Sequence, residues 1–271
     1  MSDSEQQNSI HGVAARAKMQ QVQRNFGAAA ADYVTSKVHA TGPDLVWLAE
    51  TAALTGTERV LDVATGGGHA AFALAPSAAE VVALDLTRPM LEVAQKEAEA
   101  RHLFNIRFLE GDAQAIPCED NSFDVISCRH APHHFPNIRR AVSEWARVLK
   151  PGGRLLLIDS TAPEEEDLQE FLHEIETLRD PSHVRNHPIS EWKTLLQEVG
   201  FTLNQTSESG TILDIPSWTQ RMRTPQASVA TIEQNLRTAS PATRERLHIE
   251  ALDGSFAFRL PVAQIAATKP A

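Results

Sequence analysis

Cysteine is scarce in this sequence. The 271 residues include two, Cys118 and Cys128, and two thiols are too few to complete a cysteine-ligated metal cluster. Cys128 ends an apolar run, which favours a buried, reduced thiol over a metal ligand.

An excess of basic charge and long apolar runs are also lacking. Lysine and arginine total 25 against 35 aspartates and glutamates, for a formal net charge of -10, and a surface of this sign does not neutralise phosphates. No apolar run approaches the roughly 20 residues that span a bilayer. The start, Met1 to Asn8, is polar and has no signal-peptide core. We therefore expect a cytoplasmic protein, monomer or homodimer, that binds no nucleic acid and has no membrane span.

Short apolar runs alternate with helical stretches after Glu58. Strict alternation favours parallel strands joined by right-handed crossovers, so the sequence predicts an α/β, doubly wound sheet with helices on both faces. The predicted strands are 59–63, 80–85, 105–109, 123–128 and 153–159, and the predicted helices between them lie near 68–76, 88–102, 137–149 and 164–178.

The domain organisation follows from the same pattern. We expect a disordered tail at 1–10, a helical N-terminal cap at 11–57 and the α/β domain at 58–271. Within that domain, 214–252 is predicted to be a helical insertion, broken by prolines and too long for a simple connector. Its Trp218 and Met222 are typical of core packing, and they would form an apolar wall if the insertion were a lid over substrate.

The most informative segment is Val60-Leu-Asp-Val-Ala-Thr-Gly-Gly-Gly-His-Ala-Ala71, where a strand ends, glycines follow and a helix begins. Glycine permits positive φ and close approach of a ligand, and the helix start offers free N–H groups to an anionic group. Asp85 closes the next strand 19 residues after Gly66, where a carboxylate can accept hydrogen bonds from ribose hydroxyls. The loop also fits a dinucleotide fingerprint, or a glycine turn with no ligand.

Two further positions separate these possibilities. Asp62 stands within the end of the first strand, where a dinucleotide site normally has an apolar residue and where a carboxylate suits the ammonium group of a bound amino acid. Asp112, in Gly111-Asp112-Ala113, follows the third strand and can accept from an adenine amino group.

Together, these segments resemble the successive motifs of class I S-adenosylmethionine-dependent methyltransferases over about residues 58–160, and are most similar to the ubiquinone/menaquinone-biosynthesis (UbiE-like) small-molecule type. The motifs are Val60–Gly68, Asp85, Gly111–Ala113, Phe123-Asp124 and Leu149-Lys-Pro-Gly-Gly153. The resemblance implies a Rossmann-like, mostly parallel seven-stranded sheet. It also implies S-adenosylmethionine as cofactor, S-adenosylhomocysteine as product and a small-molecule methyl acceptor. Ala64 departs from the family, which often has its first glycine there.

The resemblance also implies which residues bind the cofactor. The glycine loop would hold the methionine portion, Asp85 the ribose and Asp112 the adenine, and Tyr33 would contribute from the N-terminal cap. The full set is Tyr33, Asp62, Ala64, Gly66, Gly67, Gly68, Asp85, Leu86, Asp112, Ala113 and Arg129.

The acceptor site is expected beyond the fourth and fifth strands, where Cys128-Arg-His-Ala-Pro-His-His-Phe-Pro136 places three histidines in five residues. We hypothesise that His134 or His133 is the general base for an acceptor hydroxyl, and paired histidines here resemble those of some sugar and natural-product O-methyltransferases. Asp159 would orient the imidazole or share the base role. Packing and helix capping are the alternative for these residues, and we predict no metal site because no local carboxylates or cysteines accompany the histidines.

Three functions remain open from the sequence. The first is an O- or C-directed small-molecule methyltransferase. The second is a methyltransferase fold repurposed for another reaction or for binding, because fold does not fix function. The third is an NAD(P)-dependent oxidoreductase, which Asp62 makes less favourable.

Overall fold

The N-terminal part of the chain is helical. The computed structural model describes residues 3–34 and 42–271, with side chains described for 12–27, for Ala30 and from Gly42 onward. Helix α1 spans Asp3–Val34, so residues 3–10 are helical where the sequence analysis expected disorder. The physical reason is that these polar residues include no proline or glycine, and that Asp3 and Glu5 favour a helix N-terminus.

A second helix, α2, spans Pro43–Ala52. It begins at Pro43, because proline is well accommodated in the first helical turn. The remaining helices are α3 (His69–Leu74), α4 (Arg88–Ala100), α5 (Ile138–Val148), α6 (Glu166–Arg179), α7 (Ile189–Glu198), α8 (Ile215–Arg221), α9 (Gln226–Thr238) and α10 (Pro241–Arg246), with 3₁₀ turns at Ala75–Ser77 and Pro132–His134.

One sheet lies at the centre of the molecule. Its strands are β1 (Arg59–Val63), β2 (Glu80–Asp85), β3 (Ile106–Glu110), β4 (Phe123–Arg129), β5 (Leu149–Ser160), β6 (Thr202–Asp214), β7 (Glu250–Leu252) and β8 (Ser255–Thr268). They lie in the order β3-β2-β1-β4-β5-β8-β6 across the sheet, and β7 pairs with β8. Strands β1 to β5 pair in parallel, and β6 and β8 add an antiparallel end. This confirms the doubly wound prediction. Strand order reverses between β1 and β4, which places a binding crevice at their carboxyl ends.

The sheet has eight strands in the described residues, against the seven expected. The extra strand is β7, which corrects the prediction that 214–252 is helical throughout. Its three residues are all exposed, so no alternation of apolar and polar side chains marks them as a strand.

Two cores cover the faces of the sheet, and a third lies apart. On one face Trp145 of α5 stacks on Trp192 of α7 with 6.4 Å between ring centroids. On the other, Leu48 and Leu74 pack against the strands. The third core joins the insertion to α6, and its buried residues include Leu172, Ile175, Trp218, Ile232, Leu236 and Phe258. In the part of the chain that is described, no helix is both long and apolar enough to cross a membrane.

Candidate active site

The loop between β1 and α3 turns sharply at the carboxyl edge of the sheet. Gly66 and Gly68 have φ values of 53° and 87°, which glycine adopts without strain. A Cβ on Gly68 would lie 2.4 Å from the Phe72 ring, so this position also requires glycine for packing. Ala64 has a φ of 53° and adopts the left-handed conformation despite its side chain.

Two buried carboxylates flank this loop. Asp62 is 1% exposed and accepts from the hydroxyls of Thr65 at 2.6 Å and Ser127 at 2.7 Å. Burial raises the pKa of Asp62 above its ordinary value, although these hydroxyls oppose the shift.

Asp85 accepts from the backbone N–H groups of Gly66 and Thr87, each at 2.8 Å. Burial raises the pKa of Asp85 to about 6. The bond to Gly66 ties the end of β2 to the glycine loop.

A cavity of about 1050 Å³, its open mouth included, lies above these residues. It brings together nine of the predicted cofactor residues: Asp62, Ala64, Gly66, Gly67, Asp85, Leu86, Asp112, Ala113 and Arg129. Gly68 is not among the lining residues, and the side chain of Tyr33 lies outside the described residues.

Gln114 is a lining residue that the sequence analysis missed. Its backbone N–H donates to Asp112 Oδ1 at 2.8 Å and its side-chain amide donates to the same oxygen at 3.2 Å. The side-chain oxygen of Gln114, Oε1, accepts from the backbone N–H of Asn137 at 2.8 Å. Gln114 therefore fixes the orientation of the Asp112 carboxylate, two residues away in the sequence.

Asp44 is the second missed residue. It lies in the first turn of α2 and accepts from Arg129 Nε at 2.6 Å, with His130 Nε2 at 3.1 Å. Burial raises the pKa of Asp44, but the hydrogen bonds and charges of His130 and Arg129 outweigh it and hold the pKa well below its usual range. The N-terminal cap thereby positions a cavity-lining arginine.

Helix α1 forms a further wall of the cavity. Met19, Val22 and Phe26 line it, and Gln23 donates to the backbone oxygen of Leu86 at 2.9 Å. The edge of the Phe26 ring meets His134, with 5.0 Å between ring centroids. This wall is apolar, in contrast to the carboxylates opposite.

The adjacent histidines His133 and His134 have different surroundings. His133 Nδ1 lies 2.6 Å from Asp159 Oδ1, and its backbone N–H donates to Asp159 Oδ2 at 2.9 Å. Burial lowers the pKa of His133, but the charge and hydrogen bond of Asp159 outweigh it and raise the pKa above its usual value. Neither His133 nor Asp159 lines the cavity.

His134 does line the cavity. Its Nδ1 lies 3.1 Å from the backbone oxygen of Ser182, and its Nε2 lies 3.9 Å from Asp180 Oδ2. Burial and the neighbouring positive charge of His133 lower the pKa of His134 well below its ordinary value. His134 is therefore neutral at pH 7, and it lies in the cavity wall.

More polar groups are buried behind the two histidines. Glu176 accepts from Asn186 Nδ2 and lies 3.8 Å from His183 Nε2. Burial raises the pKa of Glu176 to about 7. Among the described residues, no group of three or more histidine, cysteine or acidic side chains is placed to hold a metal ion.

Known proteins share this architecture and its motifs. Residues 61–157 match the model of the methyltransferase domain family. YcgJ of Bacillus subtilis (strain 168), an uncharacterized methyltransferase, is 40% identical over 220 residues, which are 81% of this chain and 87% of YcgJ. The crystal structure of YcgJ superposes with a TM-score of 0.82 and 36% identity, covering 85% of this chain and 100% of that one. Demethylmenaquinone methyltransferase of Thermus thermophilus is 41% identical over 127 residues, 45% of this chain and 57% of that protein.

Proposed function

This chain belongs to the class I S-adenosylmethionine-dependent methyltransferases, and from that premise we propose that it methylates an oxygen or carbon atom of a small molecule with His134 as general base. The observation that carries the proposal is that His134 lies in the wall of the same cavity as Asp62 and Asp85. A base within a shared cavity can reach an acceptor that is aligned with the methyl donor.

The residues of the cavity fit S-adenosylmethionine. Asp62 suits its ammonium group, Asp85 its ribose hydroxyls and Asp112 its adenine amino group, because each is a carboxylate residue that lines the cavity. Arg129 supplies a positive charge for the carboxylate of the methionine portion. When bound, the cofactor supplies an electrophilic methyl group on a positively charged sulfur.

The acceptor in this proposal is an apolar molecule with one acidic proton. Met19, Val22, Phe26, Phe135 and Pro136 give the cavity apolar surface beside His134, which suits an aromatic ring or a hydrocarbon chain. Loss of the proton to His134 Nε2 creates the nucleophilic oxygen or carbon atom. The name of the Thermus relative, a demethylmenaquinone methyltransferase, agrees with a ring-bearing acceptor.

Calorimetric titration with S-adenosylmethionine and S-adenosylhomocysteine is the first test. We expect micromolar-range binding that weakens in Asp85→Ala. Folded protein that binds neither ligand would overturn the proposal and favour a repurposed fold.

Transfer is tested by incubating the protein with methyl-labelled S-adenosylmethionine and a panel of phenols, quinols and aliphatic hydroxy compounds. We expect labelled product from at least one acceptor, and a loss of about 10²–10⁴-fold in rate for His134→Gln. His102→Gln is the matched control, because His102 is exposed and does not line the cavity. An unchanged rate in His134→Gln would remove His134 as the base.

A further inference from the structure

Asp180 is a buried carboxylate that the family motifs do not include. It follows the last residue of α6 and is 1% exposed. Its neighbours come from three places in the chain: Ser182 in the following turn, Asn25 in α1 and His134 in the cavity wall.

One oxygen of Asp180 builds the turn that supports His134. Asp180 Oδ1 accepts from the backbone N–H of Ser182 at 2.8 Å, from the Ser182 hydroxyl at 2.7 Å and from Asn25 Nδ2 at 3.1 Å. The turn presents the Ser182 carbonyl to His134 Nδ1 at 3.1 Å. A carbonyl oxygen can only accept, so Nδ1 carries the hydrogen and the neutral ring has its lone pair on Nε2.

The other oxygen of Asp180 lies near His134 Nε2. Asp180 Oδ2 is buried and has no hydrogen-bond partner among the described residues, and it lies 3.9 Å from His134 Nε2. Two acceptor atoms are therefore close to each other without a shared hydrogen, which is unfavourable while the imidazole is neutral. A proton on Nε2 converts this pair into an ion pair of a cation and a carboxylate.

We propose that Asp180 is the positioning residue of the base: Oδ1 fixes the tautomer of His134 through Ser182, and Oδ2 stabilises the imidazolium that forms when His134 takes the acceptor's proton. This inference rests on the proposed role of His134. The proton leaves the acceptor and binds Nε2, while the electron pair of the broken bond stays on the acceptor and forms the bond to the methyl carbon. The pair of the methyl–sulfur bond stays on sulfur.

The assignment differs from the one drawn from sequence, in which Asp159 orients the base. Asp159 binds His133, whose ring lies 4.2 Å from that of His134 between centroids. His133 therefore acts on His134 as a neighbouring positive charge. The ionisable groups around His134 are His133 in its own turn, Asp159 in β5, and Asp180 and His183 in the 180–183 turn.

Nitrogen NMR of the ¹⁵N-histidine-labelled protein tests the inference without any acceptor. At pH 7 we expect His134, assigned by its loss in His134→Gln, to be neutral and protonated on Nδ1. In Asp180→Asn the retained oxygen still accepts from Ser182, and the introduced amide places N–H groups instead of a carboxylate oxygen near Nε2, so the Nε2 resonance should shift. A proton on Nε2 in the wild-type protein at pH 7 would overturn the assignment.

Glu176→Gln is the matched control, because it makes the same carboxyl-to-amide change in the same buried cluster but beside His183. It should leave the His134 resonances unchanged. An equal shift of His134 in both variants would show a general effect of charge and would also overturn the proposal.

Kinetics with an acceptor from the panel separate this inference from the proposed function. We expect Asp180→Asn to lower kcat about 10- to 100-fold and to leave KM for S-adenosylmethionine within about twofold. In the double variant with His134→Gln, we expect Asp180→Asn to cause no further loss of kcat, since the two residues act as a unit. Full activity in His134→Gln would refute the proposed base. Loss in His134→Gln with full activity in Asp180→Asn, or additive losses in the double variant, would refute the role of Asp180 alone.

Discussion

Ala64→Gly should stabilise the protein although it removes a methyl group. Ala64 has a φ of 53° at the point where β1 meets the glycine loop, and its Cβ crowds the backbone in this conformation. The left-handed region costs an L-residue about 1–2 kcal/mol. Glycine removes that cost, so the folded state of the variant is more stable.

The gain is partly offset in the unfolded state. Glycine has more conformations to lose on folding, which costs about 0.4–1 kcal/mol relative to alanine. The difference leaves the variant more stable by about 0.5–1 kcal/mol. For a chain of this size, that corresponds to a rise of about 1–4 °C in Tm.

Thermal denaturation and urea titration measure the effect, with two matched alanines as controls. Ala53, at the end of α2, has a φ of 45°, so Ala53→Gly should raise Tm in the same way. Ala78 has a φ of -106°, so Ala78→Gly should lower it. A lower Tm for Ala64→Gly, together with the expected results in both controls, would show that the strain argument fails at this loop.

Three further perturbations test the cavity and its supports. Asp85→Ala should weaken S-adenosylhomocysteine binding on the order of 10- to 100-fold, and wild-type affinity should fall as pH drops below about 6, where Asp85 becomes protonated; calorimetry that shows the same pH dependence in the variant would contradict this. Asp44→Ala should lower the free energy of unfolding at pH 7 by about 3 kcal/mol, because it leaves Arg129 buried without its carboxylate. The folded-state pKa of Asp44 is depressed, so its contribution to the free energy of unfolding is present above about pH 4 and is lost in acid. If the difference in free energy of unfolding between wild type and Asp44→Ala, measured by urea titration, did not become smaller below pH 4, the role of the Asp44 charge would be refuted. Trp218→Ala should cost about 3–5 kcal/mol, yet leave S-adenosylhomocysteine affinity unchanged, because Trp218 is 2% exposed in the insertion core and does not line the cavity; a loss of affinity in the folded variant would contradict this.

The sequence was sufficient for the features that local pattern encodes. Alternating apolar runs and helical stretches predicted β1 to β5 and the helices between them, because strands covered on both faces read as continuous apolar segments. Asp62 and Asp85 were found because they stand at the ends of strands, and the glycine loop and Asp112 because they follow strands. Their convergence on one cavity follows from parallel strands sharing a carboxyl edge.

Contacts between distant segments could not be predicted in this way. Asp44 reaches Arg129 across 85 positions and Asn25 reaches Asp180 across 155, and neither acidic residue has a local pattern that names its partner. The sequence analysis expected Asp159, at the end of a strand, to orient the imidazole or share the base role, with helix capping as the alternative, and Asp159 lies 2.6 Å from His133 Nδ1. Asp180 ends a helix, where a carboxylate is opposed by the helix dipole and carries no motif.

The insertion leaves the sheet and returns at nearly the same point. Asp214 of β6 and Glu250 of β7 both pair with Ala257, on opposite sides of β8, so about 10 Å separates them. The residues between these two positions could therefore be deleted and replaced by a short linker. The deletion would expose Leu172 and Ile175 of α6, which pack against the insertion. Since α6 ends directly before Asp180, the insertion supports, through α6, the turn that holds this buried carboxylate.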